Sequence, residues 1–306
     1  RGTLARRIGW SVMGKASRKQ GSRRGAPLAN RPAAYVARPF EGLPSETDWV
    51  ALREILPAAT ATVTLSATAA SAGLPQSFVL ATVLPMAWPA LHRADGLVMV
   101  STQSGPVSGD ASRDLVMSLL AASAAPEGEA VPVVASATAE TPRLQDLLAE
   151  GAGFELTVHD GFDFWVAEAN LDDAARESLQ AANESVIPTV VLGSRPSAYL
   201  QRIGERSYLR WVLPHDEDAA LDALARLVAA GTHRLGEDDR LLGAFRACGL
   251  LIPVWEVDPQ ADPESVDPAL AELGERLDAA VATTAPLTGE ERRARNGLQT
   301  RQVTLR

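Results

Sequence analysis

The chain has 306 residues, 46% of them hydrophobic, and a formal net charge of -9. That is enough apolar material for one large domain or two of ~100–200 residues each. A single cysteine, Cys248, excludes an intramolecular disulfide and every paired-cysteine zinc motif, and the longest apolar stretch, 78–91, is broken by Pro85 and Pro89, short of the ~18 uninterrupted residues a membrane span needs.

Charge is divided unevenly along the chain. Residues 1–40 carry ten Arg or Lys and no acid, residues 41–289 carry 14 Arg against 36 Asp or Glu, and residues 290–306 carry five Arg against Glu290 and Glu291. An acidic body repels phosphate backbones, whereas a segment this basic attracts them. Nucleic acid or the ribosome is therefore the expected partner of Lys15, Arg18, Lys19, Arg23, Arg24 and Arg31, and a protein partner is expected on the acidic body. Residues 13–37 contain almost no large apolar side chain, so nothing there offsets the entropy of ordering. The expectation is a disordered basic arm over 1–37, with Met13 as the translation start, and an α+β body over 38–306 that could divide into two sub-domains near 151. The arm lacks the apolar stretch of an export signal, and Ser17 falls one place short of the M-G-x-x-x-[ST] myristoylation pattern. A cytoplasmic protein that makes no membrane contact is expected.

Order is expected to begin near "RPFEGLPSETDWVALREILP", where Ser45 caps a helix whose Trp49, Val50, Leu52, Ile55 and Leu56 recur at helical spacing until Pro57. "ATATVTL" (59–65), "SFVLATV" (77–83) and "LVMVSTQ" (97–103) are β-rich runs bounded by Gly or Pro and predict strands. A helix follows over "ASRDLVMSLLAASA", and another over "TPRLQDLLAEG", with Thr141 as cap and Gly151 past its end.

The second half contains a recurring pattern. "FELTVHDGFDFWVAEANLDDAARESLQAA" predicts a hairpin turning at Asp160-Gly161 and a helix from about Asp172. "AYLQRIGERSYLRWVLPHDEDAALDALARLVAAG" predicts a hairpin turning at Gly204-Glu205 and a helix from about Asp216 that Gly231 ends. Both units carry Trp-Val followed by Asp-Ala-Ala, and the strands at 77–83 and 97–103 with the helix after them form a looser third copy. "GEDDRLLGAFRACG" predicts a short helix, "LLIPVWEV" a buried strand, "DPALAELGERLDAAVATT" a helix and "RQVTLR" a closing strand. The fold class is α+β, built from antiparallel hairpin-helix units repeated two or three times with helices packed on sheet faces.

Chemistry-bearing residues do not assemble into a known motif. His92, His159, His215 and His233 each have acids close in sequence, but no H-x-x-x-H or H-E-x-x-H occurs. The "HDED" and "GEDD" acids are expected at helix starts, where carboxylates satisfy free amides. No G-x-S-x-G elbow is present, and "SGPVSGD" lacks the Lys and hydroxyl of a phosphate loop. Cys248 is expected as a core thiol, and Trp165, Trp211 and Trp255 as core side chains. No metal and no cofactor is expected.

"MGKASRKQ" followed by "ARPFEGLPSETDWVALREILPAATATV" resembles the opening of an actinobacterial family of unknown function, a resemblance that extends through the chain and implies no catalytic residue. The favoured reading is a non-enzymatic binding or adaptor protein whose basic arm contacts a polyanion. The alternative is a small-molecule enzyme or ligand-binding protein with a pocket near Trp88 and His92.

Overall fold

The computed structural model describes residues 31–166 and 171–300. Residues 31–37, expected to belong to the arm, instead form a strap along the body. Ala139 N–H donates to Arg31 O at 3.0 Å, Ala33 N–H to Ala137 O at 3.4 Å and Val36 N–H to Gly109 O at 2.9 Å. Composition did not reveal this, because backbone pairing and the burial of small Ala33 hold the strap, not large side chains. Arg38 then makes a bidentate ion pair with Glu46 at 2.6 and 2.7 Å, which fixes the start of helix α1 (Glu46–Glu54).

The apolar side chains of α1 are buried at the positions their spacing requires. Ser45 is not a side-chain cap as expected: its φ is 53°, and its carbonyl, rather than its hydroxyl, accepts from Asp48 N–H at 2.8 Å. The first sheet follows: β1 (Ala59–Thr64), β2 (Ser77–Ala81), β3 (Ala90–His92), β4 (Val98–Ser101), β5 (Ala130–Val131) and β6 (Phe154–Val158), in the order β5-β3-β4-β2-β1-β6. Only β2 and β4 run parallel. Alternation assigns its faces, since Ala59, Ala61 and Val63 point into the core with α1 while Thr62 and Thr64 are exposed. Helix α2 (Ala67–Ser71) follows β1, and α3 (Ala111–Ala124) packs on the α1 face.

The helix expected from Thr141 to Gly151 shrinks to α4 (Leu144–Leu147). Asp146 turns back onto Arg143 N–H at 2.8 Å and Leu148 bridges to Leu65, so the chain leaves the helix after one turn.

The hairpin expected at 154–167 does not form. β6 is a single strand paired with β1, and Asp163–Trp165 make a 3₁₀ turn. Gly161 supplies close approach instead of a hairpin turn, because a Cβ there would lie 2.8 Å from the Asn183 side chain, whose Oδ1 accepts from Phe162 N–H at 2.6 Å. Helix α5 (Asp173–Glu184) begins where expected, with Asp172 accepting from Ala175 N–H at 2.8 Å. Part of the segment between them, 167–170, lies outside the described residues.

The second sheet is antiparallel throughout: β7 (Thr189–Val191), β8 (Ala198–Ile203), β9 (Arg206–Trp211), β10 (Arg240–Ala247) and β11 (Leu250–Val257), in the order β10-β11-β9-β8-β7. Its other elements are α6 (Glu217–Ala230), α7 (Pro263–Val281) and α8 (Gly289–Thr300). The β8–β9 hairpin with α6 matches the expected unit, including the Asp216 cap and Gly231 at φ 72°. The repeat is corrected all the same, since the Trp165 unit has no hairpin and the strands at 77–83 and 97–103 pair in parallel. "GEDDRLLGAFRACG" is strand β10, not a helix, because pairing with β11 outweighs local propensity. "RQVTLR" lies outside the described residues.

Helix α1 lies against both sheets. Its core cluster includes Tyr199, Leu250 and Ile252 from the second sheet and Val212 just past β9, and the sheet's other face packs with α6 and α7 through Leu209, Trp211 and Trp255. Ser197 Oγ donates to Asp48 Oδ1 at 2.5 Å and sits 2.7 Å from Thr47 Oγ1, while Tyr199 OH donates to the same carboxylate at 3.4 Å. Burial holds the Asp48 carboxyl above its ordinary range, against the opposing pull of those hydroxyls. A raised pKa means that its stabilising contribution is full below the unfolded-state pKa and is lost as pH rises through the folded-state value. Asp48→Asn keeps an acceptor oxygen without the charge, so urea unfolding at neutral pH is expected to show stability equal to or above that of the parent and a flatter dependence in the acid range. Asp48→Ala strands the Tyr199 hydroxyl and leaves Ser197 Oγ only Thr47 Oγ1, and is expected to cost ~1–3 kcal/mol; equal losses for the two variants would contradict this.

Candidate functional site

The turn "PMAWP" at 85–89 departs most clearly from what packing requires. Met86 and Ala87 both have positive φ, 54° and 55°, a conformation that costs a non-glycine residue ~1–2 kcal/mol. Neither side chain is buried in return. Trp88, next in the chain, packs partly against Ala81, Leu84, Leu91 and Met99 on the face of the first sheet opposite α1. Phe164 and Trp165 cover the same cluster. Phe162 stacks on Trp165 at 4.4 Å, and the Trp165 indole N–H donates to Val83 O at 2.8 Å. Trp165 is therefore a half-exposed lid and not the strand core residue expected, whereas Trp211 and Trp255 are buried.

His92 ends β3 and Trp88 precedes the strand by two residues, a separation of up to ~13 Å at the strand rise of ~3.3 Å per residue. The His92 ring Nδ1 bonds Ala125 O at 2.7 Å. His159 Nε2 lies 2.8 Å from Thr60 Oγ1, and burial holds its pKa below the ordinary value. His215 is 3.7 Å from Asp278, and His233 is shifted down by burial and then by Arg234. Among the described residues no three His, Cys, Asp or Glu are placed to hold a metal ion. Of the expected cationic site, Lys15, Arg18, Lys19, Arg23 and Arg24 lie outside the described residues, and Arg31 begins the strap.

The carboxylates at the end of the "SGPVSGD" loop and in the first turn of α3 are taken up by nearby amides and arginines. Asp110 accepts from Ser112 N–H at 3.1 Å and pairs with Arg113 and Arg143, while Asp114 accepts from Ser108 N–H at 3.0 Å. The loop faces the strap, and Tyr35, Val107, Arg53, Asp114 and Cys248 line a cavity of about 220 Å³ between them. Cys248 and Gly249 form the two-residue turn of the β10–β11 hairpin, both at positive φ (48° and 78°). A Cβ at Gly249 would lie 2.7 Å from Arg38 Cβ, so the turn tip needs glycine to seat against the strap. Sequence patterns missed this hairpin because Cys-Gly replaces the usual Asn-Gly. Burial, then Glu54, push the Cys248 thiol up to about 12. Native Cys248 is therefore expected to react with iodoacetamide at neutral pH at least ~100-fold more slowly than in urea; similar rates would show the thiolate to be accessible.

No helix among the described residues is long and apolar enough to cross a membrane. No curated protein and no solved structure matches the chain. A family model does: residues 39–306 match the family of unknown function DUF5926, and the chain belongs to that family.

Proposed function

We propose that this is a non-enzymatic binding or adaptor protein, whose basic N-terminal segment engages a polyanion, either nucleic acid or the ribosome, while its acidic body engages a protein. The observation that carries the reading is charge segregation: residues 1–40 hold ten cations and no acid, and the next 249 residues hold 14 Arg against 36 acids. A diffuse cationic tether binds phosphates by releasing counterions and needs no preformed pocket. The strap supports it, because Arg31 O is held on Ala139 N–H and the basic segment thereby joins the body at a defined point.

Six phosphate contacts from Lys15, Arg18, Lys19, Arg23, Arg24 and Arg31 give an expected slope of log K against log[salt] of roughly -4 to -5, at about -0.7 to -0.9 per contact. Fluorescence anisotropy with a single-stranded RNA and a duplex DNA oligonucleotide measures it, and the affinity is expected to be nearly independent of sequence. A chain lacking residues 13–31 is expected to lose this binding at low salt. Unchanged affinity in the deletion would refute the reading.

A further inference from the structure

Four segments that meet at one end of the first sheet contain no charge at all. Residues 32–37, 85–89, 104–109 and 130–139 together make 27 positions without Asp, Glu, Lys or Arg, in a chain that is 22% charged. Their proximity is fixed by contacts. Pro32 bridges to Thr138, Val36 N–H donates to Gly109 O, Ala90 pairs with Val131, and a Cβ at Gly105 would touch Pro89 at 3.4 Å. These segments also hold the most exposed large apolar side chains of the described residues: Met86 85%, Val107 83%, Val133 82% and Tyr35 80%, against 50% or less for the others. Depletion of charge with exposed aromatic and Met side chains marks the centre of a protein interface.

The backbone supplies the mode of binding. β5 is one of the two edge strands of its sheet, and beyond it residues 132–137 run on without a turn or bend to the bridge at Thr138. Among the described residues, the N–H and C=O groups of Val133, Val134, Ala135 and Ser136 have no hydrogen-bond partner. Native edges are usually blunted by charge; this one carries only Pro132. We infer that an extended segment of a partner protein adds to this edge as a strand along Val133–Ser136, with aliphatic or aromatic anchors against Met86 and Trp88 and an acidic flank facing the basic segment. This rests on the binding-protein reading for the partner's class, but not on the polyanion contact.

Three observations decide the occupant. The four segments themselves carry no cation for phosphate, which disfavours nucleic acid on this face. An isologous pairing of two copies would bring together two segments that each hold nine Arg or Lys and no acid within residues 1–31, which disfavours a second copy. The same basic segment joins the body at Ala139, at most ~22 Å of extended chain from Val133, which suits an acidic flank.

The test selects a displayed library of random 12-residue peptides on the full chain, then measures the selected peptides by anisotropy and amide exchange. The expected result is enrichment of aliphatic or aromatic anchors flanked by Asp or Glu, slowed exchange at Val133–Ser136, and at least tenfold weaker binding to Met86→Asp and Val133→Asp. In the chain lacking 13–31, anchor-dependent binding persists while the acidic flank ceases to matter. Peptides that bind both Asp variants as well as the parent, or that leave Val133–Ser136 exchange unchanged, overturn the inference. So does an RNA oligonucleotide that protects the same amides, or sedimentation showing a parental dimer that Val133→Asp dissociates. Loss of oligonucleotide binding in the deletion with no peptide selected ends this inference alone; rim-dependent peptides with no oligonucleotide binding end the polyanion reading alone.

Discussion

The structure depends on the satisfaction of one buried helix end by two different sheets. A helix leaves its last carbonyls without internal partners, and burying them unpaired costs ~1–3 kcal/mol each. At the end of α1, Leu52 O accepts from Thr102 Oγ1 at 3.0 Å and from Gln103 Nε2 at 3.1 Å, and Leu56 O from Gln103 Nε2 at 2.9 Å. Those donors follow β4 of the first sheet. Ile55 O accepts from Gln201 Nε2 at 3.1 Å, and Gln201 belongs to β8 of the second. Near the other end of the helix, Asp48 is held by Ser197 and Tyr199. Apolar burial of Trp49, Val50, Leu52 and Leu56, at ~1.5–3 kcal/mol for each large side chain, makes the helix the shared core; these directional contacts set how each sheet sits on it.

That arrangement determines what is left for function. The α1 face of the first sheet is closed by α1 and α3, and its opposite face is partly covered by Phe164 and Trp165. The second sheet is covered on one side by α6 and α7, and reaches the α1 core with the other. Of the first sheet's two edge strands, β5 and β6, it is the β5 edge where the strap, the "PMAWP" turn and the β4–α3 loop meet. The proposed binding role rests on two features of this arrangement, the uncharged edge of the body and the cation-rich segment that precedes it in the chain.

Much of the fold was legible from local patterns. The stripe of α1, the Asp172 and Asp216 caps and the β8–β9 hairpin all follow from short-range rules that no distant contact overrides. Three of the misreadings share one cause, long-range contact. Gly161 looks like a turn residue until Asn183 arrives from 22 positions away, β10 looks helical until β11 pairs with it, and the strap looks unstructured until Ala137 and Gly109 bond it. The pocket expected near Trp88 and His92 pointed toward the "PMAWP" turn, but not to the edge beside it. Its signal is an absence of charge spread over four segments, visible only once the fold brings them together.

Native-state hydrogen exchange on the free full chain tests the central claim most directly, that one helix unites both sheets into a rigid body with an unpaired edge. Amides of α1, β1 and β8 are predicted to exchange only through a single global opening with one common free energy, while Val133–Ser136 exchange at close to unprotected rates. Separate opening energies for β1 and β8, or strong protection at Val133–Ser136 without a partner, would contradict it.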